Sequence, residues 1–397
     1  METTRIVVAG AGYAGLHVAQ RLGSWLERHQ EIELTLLDHH DYHQLVIELP
    51  RVATGSREEK DVQVGLGGVL SPRVHFVQTA ITALDPAARQ VQTAGEPIRY
   101  DWLVLALGSR PNDFNIPGLA DRVLYPYSSE GAQAVWDAVN ATVRHAADST
   151  DRDEQQRLMT VVIGGGGATG VELAGAFAEE LPELAGQYGA PRDLGRVILV
   201  EAGPTILGGS SPQLIERAGA ILRDVGVDVR VNAAVAEATP EGFRLKDGST
   251  IAGGVFVWAG GIKAPALTTA SGLQVGYNGR IKVDRYLRAL DRPEIFVAGD
   301  LASVVNPETG HVLPPLAQIA VEQGDLVARN LRAAIEGKEL QAFTFRDKGF
   351  VVSVGNRKGV AEVAGLTIGG RLAHMLKDAI EWEYRQSVKH LRGWGAV

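Results

Sequence analysis

The 397-residue chain contains no cysteine. That excludes disulfide exchange, thiol-based peroxide reduction, cysteine-dependent sulfide oxidation and iron–sulfur clusters held by the usual thiolates. A basic surplus is also missing. Lys and Arg number 39 against 47 Asp and Glu, and the net charge of −8 argues against wrapping nucleic acid, whose phosphates need neutralising. No run approaches the roughly 18 apolar residues of a membrane-spanning helix. Nothing resembling a secretion or transit signal precedes the first strand at Arg5, so the expected compartment is the cytoplasm. No metal site is expected. What remains, 45% hydrophobic residues with 47 glycines, suits an α/β chain of two or three domains rich in strand-to-helix turns.

Two Gly-rich turns stand out: Gly10-Ala11-Gly12-Tyr13-Ala14-Gly15 and Gly165-Gly166-Gly167-Ala168-Thr169-Gly170. Each follows an apolar strand and opens a helix, and an acid closes the next apolar strand: Asp38 after Ile32 to Leu37, Glu201 after Val197 to Val200. This is the complete βαβ context for a dinucleotide. The first glycine makes the turn, the second admits a pyrophosphate, the third lets helix meet strand, and the acid accepts from a ribose hydroxyl. A carboxylate at Glu201 would repel a ribose 2′-phosphate by roughly 4 kcal/mol at ~4 Å and an effective dielectric of ~20. No Lys or Arg between Ala202 and Gln213 reverses that preference, so NADH is expected over NADPH.

The predicted fold is α/β, with two Rossmann-like dinucleotide-binding domains and a short C-terminal α/β segment. Residues 1–112 and 295–340 form the first domain, 113–294 the second, and 341–397 the C-terminal strands and amphipathic helix. Helices are predicted over Ser129 to Ala147, Pro315 to Glu336 and from about Gly370, with two strands between Phe343 and Ala364. The polar stretch Asp148 to Gln156 reads as an exposed loop.

Further motifs carry a resemblance over nearly the whole chain: Asp41-Tyr42-His43, Val52-Ala53-Thr54-Gly55, Leu105-Ala106-Leu107-Gly108-Ser109, Gly170-Val171-Glu172, Trp258 to Lys263, Ala298-Gly299-Asp300, Pro314 to Ala320 and Lys348-Gly349. The sequence resembles the two-dinucleotide FAD flavoprotein reductases and is most similar there to type II NADH dehydrogenases, which reduce quinone without pumping protons. The resemblance implies FAD at the first turn, contacted by Gly10, Gly12, Ala14, Gly15, Asp38, His39, Thr54, Ile81, Ala106, Gly108, Asp300, Ala317 and Gln318. It implies NADH at Gly165, Gly167, Gly170, Glu201 and Gly260, with Glu172 beside the flavin. The implied acceptor is menaquinone or ubiquinone. With no cysteine to relay them, electrons leaving the flavin pass directly to it. A soluble NADH diaphorase and a flavin-binding regulatory protein are the alternatives.

The resemblance departs at the acceptor. The family pattern Ala-Gln-x-Ala-x-Gln reads here Ala317-Gln318-Ile319-Ala320-Val321-Glu322, with Gln323 one place late. Positions 318 and 322 share a helix face, so Glu322 is expected to stand where the family has Gln. In the last helix Leu372, Met375, Leu376, Ala379 and Ile380 fall on one face. Trp382, Tyr384 and Trp394 lie near, and five Lys or Arg between Arg371 and Arg392 oppose three acids. Such a helix fits an interfacial membrane anchor, the protein then being peripheral on the cytoplasmic face. Docking on the core, or on a second subunit in a homodimer, is the other reading.

Overall fold

The computed structural model describes residues 3–390. The strand Thr4–Ala9 is buried from Ile6 onward, as a central parallel strand covered on both faces must be. It lies between Ile32–Asp38 and Trp102–Leu105, with Ala9 opposite both Leu37 and Leu105. The full sheet runs Arg288–Ala289, Arg292–Val297, Trp102–Leu105, Thr4–Ala9, Ile32–Asp38, Val74–Gln78, and only its first pair is antiparallel. A second, wholly parallel sheet runs Asp228–Arg230, Arg196–Val200, Thr160–Gly164, Val255–Trp258. In both, the strand feeding the Gly-rich turn has the acid-ending strand on one side and a later strand on the other. Such switch points open a crevice at the carboxyl ends of the strands.

The helices Tyr13–Leu26 and Ala168–Tyr188 start at Gly12 and Gly167. A third helix, Ala317–Ile335, packs closely on the first because position 324 is glycine; a Cβ there would fall 2.5 Å from the Ala14 carbonyl oxygen.

Two expectations need correction. The stretch read as a loop contains the helix Arg152–Leu158, whose amides at Asp153 and Glu154 are capped by the Asp151 carboxylate. A capping acid and the Arg157–Glu154 pair one turn apart outweigh its polar composition. The C-terminal segment has three antiparallel strands instead of two, Phe350–Ser353, Gly359–Val363 and Leu366–Gly370.

The helix Arg371–His390 follows, and its inward face mixes apolar residues with two charged ones. Ala373, Lys377, Glu381, Tyr384 and Val388 are buried, whereas Leu372, Met375 and Trp382 are 63–70% exposed. Of the predicted apolar face, Ala379 is also exposed and Leu376 and Ile380 are half-buried; Arg392 and Trp394 lie outside the described residues. The Tyr384 ring stacks on Tyr13 at 4.5 Å, and its hydroxyl sits 2.9 Å from His43 Nε2. His43 Nδ1 in turn lies 2.9 Å from the Ala11 carbonyl, so the last helix reaches the first Gly-rich turn through this buried ring as well as by the Tyr13 stack. Among the described residues no helix is long and apolar enough to cross a membrane.

Candidate active site

The two turns are built alike. Gly10 and Gly165 have φ of +102° and +110°, and a Cβ on either would strike the carbonyl of Ala106 or Ala259. The third glycines, Gly15 and Gly170, lie so near the Gly10 and Gly165 carbonyls that a Cβ would sit 1.8 Å away. At the second glycines, Gly12 and Gly167, an added Cβ meets nothing within 4 Å. Those two positions, each the N-cap of a helix, are the open ones a pyrophosphate would need.

The acids fasten to their turns. The Ala11 amide donates to Asp38 Oδ2 at 2.7 Å and the His40 amide to Oδ1 at 3.0 Å. Burial works to raise the Asp38 carboxyl, but the His39 ring and these amides together hold it below the usual carboxylate range. Glu201 accepts from the Gly166 amide at Oε2 and the Gly203 amide at Oε1, both at 2.6 Å. Its two oxygens keep free lone pairs for a ribose diol and present negative charge to a 2′-phosphate. Around the first turn the Gln78 amide reaches the His39 carbonyl, one strand from Ile81. Thr54 is buried and turned inward, its hydroxyl donating to the Pro50 carbonyl. In the second, Gly260 packs against Trp258.

Asp300 stands in a single helical turn, Gly299–Leu301, and accepts from the Ser109 hydroxyl at 2.8 Å, next to Gly108. Burial pushes its carboxyl up, with Ser109 and Arg280 opposing. Gly299 faces Ala14 and Ala320, so the first turn, the Asp300 turn and the start of the Ala317–Ile335 helix meet. Sequence reasoning missed what holds them: the Gln323 side chain, 1% exposed, accepts from the Gly299 amide at 2.7 Å. Gln323 is therefore a clamp on that turn and no late copy of an acceptor-side glutamine.

Gln318 lies in the first turn of the same helix, and its buried amide nitrogen has no hydrogen-bond partner among the described residues. A buried donor without an acceptor is costly, so this one fits a ligand carbonyl. One turn on, Glu322 is paired with Lys348 at 3.1 Å. The sequence places Glu322 where the family has Gln, and in the fold its charge is met by a lysine 26 residues further along the chain.

Glu172 is buried in the first turns of the Ala168–Tyr188 helix. Its Oε1 touches the Lys377 ammonium and accepts from the Ser353 amide at 3.2 Å. Lys377 also lies 3.7 Å from Glu381, which is 3.0 Å from Arg51. Lys377, Glu381 and Arg51 were not candidates from sequence. A signal existed in Lys377 and Glu381 at i, i+4, opposite the apolar stripe.

A family model described as pyridine nucleotide-disulphide oxidoreductase matches residues 4–324. A protein named type II NADH:quinone oxidoreductase from Staphylococcus aureus (strain bovine RF122 / ET3-1) is 31% identical over 384 residues, 96% of this chain and 94% of its own. Among solved structures, NDH2 from Plasmodium falciparum in complex with NADH superposes with a TM-score of 0.87 at 16% identity, over 98% of this chain and 95% of that one. The sulfide:quinone oxidoreductase from Aquifex aeolicus gives 0.78 at 20% identity, over 98% and 92%. At these identities the two structures speak for the fold alone.

Gly12→Val is expected to fold, since its Cβ enters open space, yet to purify without dinucleotide; a full flavin spectrum in the folded variant would remove the assignment. The wild type should favour NADH over NADPH in kcat/KM by about tenfold or more, near 1.4 kcal/mol. Glu201→Gln should narrow the ratio, and equal use of both by the wild type would mean that Glu201 does not face the ribose.

Proposed function

The chain belongs to the pyridine nucleotide-disulphide oxidoreductase family and, within it, to the type II NADH:quinone oxidoreductases, and from that premise we infer how its residues divide the reaction. It oxidises NADH with FAD as cofactor and reduces a quinone. We assign FAD to the Gly10–Gly15 turn with Asp38, Asp300 and Gln318, and NADH to the Gly165–Gly170 turn with Glu201. The observation that carries the reading is the pair of open second glycines, each bounded by an amide-anchored acid, in a chain without a thiol to relay electrons. Bound FAD supplies the two-electron chemistry, while the protein supplies placement and electrostatics.

The domain boundaries proposed are 1–112 with 295–340 for FAD, 113–294 for NADH, and 341–397 for the C-terminal unit. The shared strands of the first sheet support the discontinuity, since Arg292–Val297 pairs with Trp102–Leu105. The acceptor side is proposed at Gln318 and Glu322, with Lys348 completing the charge balance. The exposed Leu366, Leu372, Met375 and Trp382 support peripheral attachment of the C-terminal helix to a membrane surface. The identity of the quinone, menaquinone or ubiquinone, is left to experiment.

The test is anaerobic stopped flow: NADH bleaches the flavin, and a quinone added to the reduced enzyme restores its colour. A soluble diaphorase would not be reoxidised by quinone, and a flavin-binding regulator would bleach slowly. Within this assay Glu322→Gln should speed reoxidation about 2–5-fold, because it removes negative charge opposing a quinol oxyanion and leaves Lys348 unpaired. Lys348→Gln should slow it by a similar factor, and the double variant should return near the wild type. No change in any of the three would move the acceptor site off this helix face.

Replacing Leu372, Met375 and Trp382 together by Ser should abolish co-sedimentation with anionic liposomes while NADH-driven dye reduction persists. Unchanged liposome binding would turn the reading toward a homodimer through that face, visible by sedimentation. Deleting everything after Gly369 is a poorer test, since it also removes the buried Lys377, Tyr384 and Val388.

A further inference from the structure

A dinucleotide laid on a parallel sheet runs across the carboxyl ends of the strands, with one nucleoside on each side of the Gly-rich turn. In the second sheet Arg196–Val200, which leads to Glu201, lies on one side of Thr160–Gly164, and Val255–Trp258 lies on the other. With the adenosine ribose at Glu201, the nicotinamide riboside belongs on the Val255–Trp258 side, where the chain continues through Gly260 and Gly261. A short antiparallel pair, Arg110–Pro111 with Ile262–Lys263, joins that side to the flavin side, because Arg110 follows Ser109, which donates to Asp300.

The loop that leaves this pair carries Phe114 out to the surface. The side chain is 48% exposed and its tip lies beside Gly261, where an added Cβ would stand 3.5 Å from Phe114 Cζ. Its φ is +50° and that of Asn115 is +55°, the one consecutive pair of non-glycine residues in the left-handed region among the described residues. Asparagine tolerates that region, whereas a bulky aromatic there is an outlier. The loop is firmly held all the same. The Asn112 amide donates to the Gly261 carbonyl, and Asn112 Oδ1 accepts from the Phe114 amide, both at 2.9 Å. The Trp258 indole donates to the Asn112 carbonyl, the Tyr127 hydroxyl to the Gly261 carbonyl, and Lys263 to the Asp113 carboxylate. Backbone strain is thus kept in a well-anchored loop that leaves an apolar ring half in solvent between the two proposed nucleotide sites. Strain of this kind collects at ligand clamps.

We propose that Phe114 is a clamp on the nicotinamide riboside, its ring packing against that half of the dinucleotide and slowing its departure after hydride transfer. The inference rests on the assignment of NADH to the Gly165–Gly170 turn. A phenyl face suits both states of the substrate. It stacks on the flat, neutral ring of NADH, and it attracts the cationic ring of NAD⁺ more strongly. Having no polar atom, Phe114 takes no part in moving electrons or protons, and its contribution is to binding and placement.

The experiment takes the NADH Kd from the concentration dependence of flavin bleaching in anaerobic stopped flow on the holoenzyme. NAD⁺ and ADP are measured as inhibitors competing with NADH in the steady state. Phe114→Ala should raise the NADH Kd about 3–10-fold and the NAD⁺ inhibition constant by at least as much. The limiting bleaching rate should fall by a smaller factor, about twofold, as placement loosens. ADP keeps the adenosine and both phosphates but lacks the nicotinamide riboside, and it should inhibit wild type and variant alike. Phe114→Trp should retain tight NAD⁺ binding, and Phe114→Leu, apolar but without a π face, should lose it. Phe114→Gly, freed of the left-handed strain, should bind NADH as weakly as Phe114→Ala yet melt no lower than the wild type. The proposal is overturned if Phe114→Ala shifts NADH and NAD⁺ by less than about twofold, if ADP weakens equally, or if Phe114→Leu matches the wild type. A melting temperature that drops in Phe114→Gly along with the affinity would make the ring a structural plug and overturn it too. Gly167→Val separates the two levels. If it binds NADH as the wild type does, the assignment of NADH to the second turn fails; if it loses NADH while Phe114→Ala keeps it, only the clamp fails.

Discussion

A lysine ammonium buried between two carboxylates fixes how the C-terminal helix sits. Taking such charges out of water costs several kcal/mol per ion, and removing one partner of a buried pair typically costs about 3–5 kcal/mol. Lys377 must therefore meet Glu172, and Glu381 must meet Lys377 and Arg51. The requirement turns Lys377 and Glu381 inward beside Ala373, Tyr384 and Val388, and leaves Leu372, Met375 and Trp382 outside. The same contact brings the C-terminal unit against the helix that starts at the second Gly-rich turn, so one electrostatic constraint ties the outer helix to that turn.

The two nucleotide turns show the opposite economy, a fit made by leaving atoms out. Backbone meets backbone at Gly15 and Gly170, and open space is kept at Gly12 and Gly167. Each acid then draws its turn toward the next strand with a short amide bond, Asp38 to Ala11 and Glu201 to Gly166. One carboxylate thus braces the loop and is the same group proposed to face a ribose. Replacing it would disturb both, and a cofactor-preference variant should be read beside its stability.

Those turns were legible in the sequence because the glycines, the helix and the closing acid lie within some 35 residues of chain and repeat with fixed spacing. The strands and the Ala317–Ile335 helix followed from apolar periodicity in the same way. Periodicity also found the stripe from Leu372 to Ile380, but a stripe does not say which way it faces. That was decided by Glu172 and Arg51, 205 and 326 positions before Lys377, through contacts no local pattern encodes. Gln323 is the converse case. Read along the chain it looked like a misplaced motif residue, and only the fold shows its amide group holding Gly299. Lys348 beside Glu322 was likewise hidden by intervening coil.

The link from Tyr384 through His43 to Ala11 has a polarity of its own. A carbonyl can only accept, so Nδ1 of His43 must carry the ring's hydrogen, and Nε2 is left to accept from the tyrosine hydroxyl. The ring has to stay neutral for both bonds to persist, and burial depresses its pKa from the ordinary 6.5 to about 4. An unfolded chain would take up a proton at this histidine as pH falls below 6.5, while the folded one resists until about 4. Native stability from this group is full above that range and drains away across it on acidification. Acid tolerance is thereby limited at a ring that ties the last helix to the nucleotide turn beside the stacked Tyr13 and Tyr384, and mild acid should loosen both ends of that tie together.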